Sequence, residues 1–314
     1  MRRERIIQRI APFARGLAMG TFLWVTACSA PGPRALSEIA VPVASDLIQV
    51  GEGPSGMEGP AYLEGFLYFV NAQYNGSIAT VDLASNSFEF FIDSLPGGSL
   101  GNAICVTSYK DLWVADYANH NVLSIDLQSR EVSIHAHDDR MNQPNDLTLS
   151  SKGTLYASDP NWSEGTGQLW RIDVDGTTHL LEADMGTTNG IALSADEERL
   201  YVNESVQRNV WLYDVDPEGN LKNKRLHHQF ADFGMDGMEC DNRGNLYVTR
   251  HGKGTIAVLD ASGELQMEIT LTGKKPSNIA FGGPNGSTCY VTMQDRGYIE
   301  TFEAPFPGPL YPPE

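Results

Sequence analysis

The chain has 314 residues, with 40 acidic against 22 basic side chains and a formal net charge of −18. Acidity of that size argues against nucleic acid and against anionic lipid surfaces as partners, since both repel it. Of four cysteines, Cys28 lies near the N-terminus, and the odd set Cys105, Cys240 and Cys289 rules out a full disulfide framework, with no CxxC pair present. Buried free thiols, or one disulfide plus one thiol, are the readings that remain.

Arg2, Arg3, Arg5, Arg9 and Arg15 make a basic start, and an apolar stretch follows over 16–27. It is too short to span a bilayer, which takes about 20 apolar residues. Segment 1–27 therefore reads as a secretory signal. Its end, Val25-Thr26-Ala27-Cys28, resembles the bacterial lipobox, in which the chain is cut before the Cys and lipid is attached there. An ordinary signal peptide with an incidental Cys28 is the plainer alternative. Ser29 rather than Asp follows the Cys, which by general bacterial sorting habits points to the outer membrane. Segment 28–45, with Pro31, Pro33 and Pro42, reads as an extended tether. Loss of 1–27 removes five Arg and one Glu, leaving 17 basic and 39 acidic residues and a net charge near −22. The expectation is an exported, periplasm-facing lipoprotein that touches the membrane only through its anchor.

Beyond the tether, one marker recurs: Leu67-Tyr68-Phe69, Leu112-Trp113-Val114, Leu155-Tyr156-Ala157, Leu200-Tyr201-Val202, Leu246-Tyr247-Val248 and Cys289-Tyr290-Val291. Successive copies are offset by 45, 43, 45, 46 and 43 residues. Each copy has the same grammar. A short apolar strand such as Ile191-Ala192-Leu193 comes first, then a turn such as Asp241-Asn242-Arg243-Gly244, then the marker strand. A polar loop, a third strand (78–83, 122–127, 169–174, 256–259) and a fourth (88–92) complete the unit. Alternation with turn signals and almost no helical periodicity means an all-β chain. Four strands at such a period are a propeller blade. The last copy ends near Phe302 with three strands, and the missing one is available at 46–50. Pairing the two ends closes a six-bladed β-propeller over 46–304 and removes a sheet edge; a Pro-rich tail follows over 305–314.

The residue opening the first strand of each blade is polar in every copy: Glu58, Asn102, Asn145, Asn189, Asp236 and Asn278, nine to eleven residues ahead of the marker. First strands are innermost in a propeller, so these side chains should converge on the channel mouth. Turn chemistry is the competing explanation, since Asn145-Asp146, Asn189-Gly190 and Asp236-Gly237 are turn dipeptides. Against it, Glu58 is a poor turn former, and neither Asn102 nor Asn278 precedes Gly or Asp. Two carboxylates and several amide oxygens suit one hard divalent cation, Ca²⁺ best, whereas zinc would recruit His or Cys.

At these positions the chain resembles the senescence marker protein 30, gluconolactonase and luciferin-regenerating enzyme family. The resemblance rests on Met57-Glu58-Gly59-Pro60, Asn142-Gln143-Pro144-Asn145-Asp146, Thr188-Asn189-Gly190-Ile191-Ala192, Met235-Asp236-Gly237-Met238 and the run from Pro276 to Pro284. It implies a six-bladed propeller binding a divalent metal, often calcium, and in many members the hydrolysis of sugar lactones. It implies Glu58, Asn145, Asn189 and Asp236 as metal ligands, with Asn102 and Asn278 lining the channel nearby. Some animal members carry a substrate-contacting Arg two residues before the second ligand. This chain has Gln143 there, in an Asn142-to-Asp146 version resembling bacterial sugar lactonases.

The chemistry such a site supports is lactone opening, with a metal polarising the carbonyl and a carboxylate taking a proton from water; the resemblance implies both the ligand and the base role for Asp236. Asn102, Asn142, Gln143, Asn278, His251 and Trp162 are the expected substrate contacts. For His251 a loop-anchoring role competes, and for Trp162 packing within its blade. Gly97-Gly98-Ser99-Leu100-Gly101 matches GxSxG formally but lacks the strand-turn-helix that motif needs. Three functions stand: a Ca²⁺-dependent sugar-acid lactonase, an aryl-ester or phosphotriester hydrolase on the same ring, and a non-catalytic binding propeller. A small-molecule lactone is the expected partner.

Overall fold

A computed structural model of the chain describes residues 36–71 and 76–309. Segment 1–27, Cys28 and residues up to 35 lie outside the described residues, as does the end of the Pro-rich tail, 310–314.

Six four-stranded antiparallel sheets form six blades. Their inner strands are Met57–Leu63, Gly101–Val106, Leu147–Leu149, Thr188–Leu193, Met238–Cys240 and Pro276–Gly282. The recurring marker lies on the second strand of each blade. Its first residue, Leu67, Leu112, Leu155, Leu200, Leu246 or Cys289, is fully buried in every copy. That uniform burial explains the period: each blade must insert one apolar side chain at the same depth to pack on its neighbours. Hydrophobic clusters accordingly bridge adjacent blades, as where Val70 and Ile78 of blade 1 meet Leu112 and Val114 of blade 2.

The ring closes as the sequence implied. Strand Ser45–Gln49 is the outer strand of blade 6, antiparallel to Tyr298–Glu303 with Ser45 opposite Thr301. A bidentate ion pair locks the seam: Arg296 Nη1 and Nη2 each lie 2.7 Å from the Asp46 carboxylate, and Nη1 is 2.8 Å from Glu300. Cys105, Cys240 and Cys289 are all free; Cys240 and Cys289 are buried, whereas Cys105 is only partly so. Among the described residues no helix is long and apolar enough to cross a membrane.

Candidate active site

Each inner strand begins at one end of the channel, and each second strand leaves at that same end. A cavity of about 450 Å³ opens there. Two tiers line it. The deeper tier is Glu58, Asn102, Asn145, Asn189 and Asp236, from the starts of the inner strands. The shallower tier is Tyr117, Ser205, His251 and Gln294, with Trp162 beside them. All four stand five residues after the first marker residue of their blades.

Close packing holds the deeper tier in place. A Cβ on Gly237 would sit 1.9 Å from Asn278 Oδ1, and one on Gly190 would sit 2.3 Å from the Asp236 carbonyl oxygen. Neither glycine has a positive φ. The Asn-Gly and Asp-Gly pairs are therefore set by the near approach of inner strands, and not by turns.

Electrostatics single out the two acids. Burial, then the negative charges of Asp236 and Asp146, push the Glu58 carboxyl well above the usual carboxylate range. Asp236 is raised in the same way, by burial and then by Asp146, against hydrogen bonds from Asn189 and the Gly237 amide. Few donors answer Glu58: Gln294 Nε2 reaches its Oε2 at 3.3 Å, the Gly59 amide reaches Oε1 at 3.3 Å, and the Ser277 hydroxyl also bonds it. Asn189 Oδ1 is buried without a hydrogen-bond partner. Two under-compensated carboxylates and an unsatisfied amide oxygen suit a hard divalent cation, which takes oxygen ligands in flexible geometry. Among the described residues no three His, Cys, Asp or Glu side chains group as metal ligands. A cation here therefore depends on the amides of Asn145 and Asn189 as much as on the acids.

Other expected residues fall differently. Asn102 lines the cavity, its Nδ2 donating to the Asn145 carbonyl oxygen at 3.1 Å. His251 and Trp162 also line it, so both expected loop residues reach the mouth. Asn142, Gln143 and Asn278 are not among the lining residues. The Asn142 main-chain amide donates to Asp159 at 2.9 Å, fixing the loop. Gln143 Oε1 accepts from the Trp162 amide at 3.3 Å, and its side chain also bonds the Tyr117 hydroxyl. It thus stands behind the two aromatic residues of the wall. Asn278, expected to line the channel beside the metal, is turned away: its Nδ2 donates to Asp146 at 3.1 Å and its Oδ1 accepts from the Ile279 amide at 2.8 Å. Ser99 of the GxSxG match is buried, its hydroxyl donating to Asp116 at 2.7 Å.

The sequence reading missed a layer of supports. Asp116, Asp159 and Glu204, four residues after the first marker residue, are buried carboxylates that accept from loop amides at Leu100, Asn142 and Gly186. Blade 5 has Arg250 at this position, grasping the Asp232 carboxylate at 2.8 Å. Asp146 was also missed as a charge. Burial raises it to about 7 although it accepts from the Leu147 and Ile191 amides and Asn278.

A six-bladed propeller with a carboxylate–amide ring at one mouth is a propeller with a built small-ligand site. Residues 50–295 match the family described as SMP-30/Gluconolactonase/LRE-like region, and the chain belongs to that family. A gluconolactonase of Zymomonas mobilis subsp. mobilis is 30% identical over 229 residues, 64% of each chain. A pentonolactonase of Haloferax volcanii is 30% identical over 153 residues, 47% of this chain and 52% of that one. The matches thus span 64% and 52% of these relatives' own length. Among solved structures, regucalcin of Agrobacterium tumefaciens, described as a calcium-binding protein, aligns with a TM-score of 0.73 at 22% identity. That alignment covers 87% of this chain and 97% of the other, a likeness of fold.

Proposed function

We propose that this protein hydrolyses sugar lactones in the cavity at the channel mouth, using one divalent cation, Ca²⁺, held by Glu58, Asn145, Asn189 and Asp236. The observation that carries this reading is the convergence of Glu58 and Asp236, both with raised pKa, beside the orphaned Asn189 Oδ1. Membership of the family and the lactonase names of its relatives support it.

When bound, the cation supplies Lewis-acid polarisation of the lactone carbonyl. The protein's own groups do the rest. Asp236 takes a proton from water as the water oxygen bonds to the carbonyl carbon. The ring C–O bond then breaks and the proton passes to the departing ring oxygen, so one lactone and one water give one hydroxy acid. Burial lowers the His251 pKa, keeping the imidazole neutral near pH 7, and Gln294 hydrogen-bonds it. Gln294 also donates to Glu58, so one amide orients both side chains. Tyr117 and Trp162 give the ring an apolar wall to lie against.

A pH-stat panel of aldonolactones, aryl esters and phosphotriesters, with Ca²⁺ and with chelator, tests the reading. Aldonolactone turnover abolished by chelator is expected. Turnover of esters or phosphotriesters with inert lactones would move the assignment to that other hydrolase class. We also propose export and lipid attachment at Cys28, on the basic start, apolar run and Val25-Thr26-Ala27-Cys28 order. Unchanged membrane fractionation of Cys28→Ser would refute it.

A further inference from the structure

The face of the propeller that carries the cavity leaves three large apolar side chains exposed among the described residues: Trp162 at 38%, Val206 at 64% and Phe233 at 49%. The other exposed large apolar residues, such as Tyr109 and Leu265, stand on the opposite face, the outer strands or the N-terminal segment. The three lie on loops of that one face, 162–165 in blade 3, 205–208 in blade 4, and 230–237 joining blades 4 and 5. Each adjoins the cavity. Trp162 lines it, and Val206 follows the lining residue Ser205. The loop of Phe233 rests on both neighbours: a Cβ on Gly252, beside His251, would meet Phe233 Cδ1 at 3.3 Å, and one on Gly234 would meet Ser205 Oγ at 3.3 Å.

Phe233 is presented there against local preference. Its φ is 46°, a left-handed conformation that bulky residues avoid. Its loop is clamped from below: Arg250, 1% exposed, donates to the Asp232 carboxylate at 2.8 Å and stacks 3.7 Å from the Phe230 ring centroid. A buried guanidinium spent on an exposed loop, and a strained Phe at its tip, mark a built rim. The lining includes neither Lys nor Arg, so nothing in it favours an anionic ligand.

We infer that the rim of Trp162, Val206 and Phe233 receives an apolar substituent on the lactone ring, extending the substrate class to uncharged lactones with alkyl or aryl side chains. The inference rests on the lactonase reading above. The occupant is the site's own substrate because Trp162 lines the cavity and its loop is tied to that of Val206, Gln207 Nε2 donating to the Gly165 carbonyl oxygen at 3.3 Å, so the ring and its substituent enter together.

Compare kcat/KM for δ-valerolactone and δ-decanolactone, which share a neutral ring and differ by an alkyl chain, using the Ca²⁺-loaded chain. Partial burial of that chain should favour δ-decanolactone by at least about tenfold. In Phe233→Gly combined with Val206→Ser, the ratio should fall most of the way to one; glycine suits the φ of 46°, so the backbone is spared. Tyr109→Ser, on the opposite face, should keep the ratio. A wild-type ratio near one, or an undiminished ratio in the double variant, overturns the inference. Glucono-δ-lactone is run alongside. Its hydrolysis with no gain from the alkyl chain sinks the rim alone, whereas inert lactones throughout sink the lactonase reading and the rim with it. Binding to phosphatidylcholine vesicles that the double variant loses, with a flat lactone ratio, would assign the rim to a membrane surface and overturn the proposal.

Discussion

Asn278 Nδ2 donates to Asp146 Oδ1 at 3.1 Å, and the two residues come from blades on opposite sides of the six-bladed ring. Asn278 lies on the inner strand of blade 6, and Asp146 immediately precedes that of blade 3. The bond therefore crosses the channel axis. Asn145 lines the cavity on one side of it, while Leu147 lines a second cavity of about 600 Å³ on the other, with Cys105 and Glu239.

Asn278→Ala should accordingly cost stability and leave the substrate contacts alone. It strips a donor from a buried carboxylate, a change of about 1–3 kcal/mol. The cost should depend on pH. Asn278 lowers the Asp146 pKa, which burial still raises to about 7, so its loss harms the ionised form. Urea unfolding at pH 8 should show the full deficit, and at pH 5.5 a smaller one. An equal deficit at both pH values would mean the amide serves packing only.

The same pair shows where sequence reading stops. The six polar positions were legible because every inner strand must begin at the channel mouth, and five of them line the cavity. The sixth, Asn278, turns instead to the buried Asp146 carboxylate across the channel, and a polar letter does not reveal which partner its side chain finds; blades 1, 2 and 4 carry like register shifts beside residues that do line the cavity. Tyr117, Ser205, His251 and Gln294 share one position in the repeat but no chemical type, so only His251 stood out, by its imidazole, and the other three did not. The blade count was legible for the opposite reason: the buried marker residues share both position and chemistry. Gly190 and Gly237 looked like turn residues, because a missing Cβ required by a neighbouring strand leaves the same letter as a turn.

Ca²⁺ should stabilise the fold if Glu58 and Asp236 hold it. Both carboxyls are raised by burial and by nearby negative charge, so an added cation relieves repulsion in the native state alone. At a hundredfold excess over Kd, mass action gives about 2.7 kcal/mol. Differential scanning calorimetry with Ca²⁺ and with EDTA should show a rise in Tm of several degrees, lost in Glu58→Gln. Identical melting in both conditions would count against a cation at this site.

Glu239, at the second cavity, offers a separate pH test. Burial first, and then the charge of Asp146, raise its pKa to about 7, against one hydrogen bond from the Cys240 amide. A carboxyl raised on folding adds stability below its unfolded pKa, near 4.5, and that contribution is lost as pH rises through 7. Glu239→Gln keeps the shape and removes the titration. Partial exposure to the cavity screens the effect, so the variant should gain about 1–2 kcal/mol over wild type at pH 8 and little at pH 5. Parallel stability–pH curves for the two proteins would show that Glu239 ionises freely.

Asp236→Asn separates ligand from base. The substitution keeps an oxygen donor and the side-chain shape while removing one charge and the proposed proton acceptor. If Asp236 is the base, kcat on a good lactone should fall at least about a hundredfold, as for a lost general base. Saturating Ca²⁺ should not restore it, because occupancy is no longer what is missing. His251 is the control. Burial holds its imidazole neutral, and it lines the same cavity as Asp236, so it is the other group able to take a proton. His251→Ala should raise KM more than it lowers kcat if the imidazole only contacts substrate. The opposite pattern, with Asp236→Asn fully active at high Ca²⁺ and His251→Ala falling a hundredfold, would leave Asp236 a ligand and transfer the proton to His251. Circular dichroism on both variants checks that the propeller is intact, and isothermal titration with Ca²⁺ reads the ligand role directly: Asp236→Asn should bind more weakly, while His251→Ala should bind as wild type does.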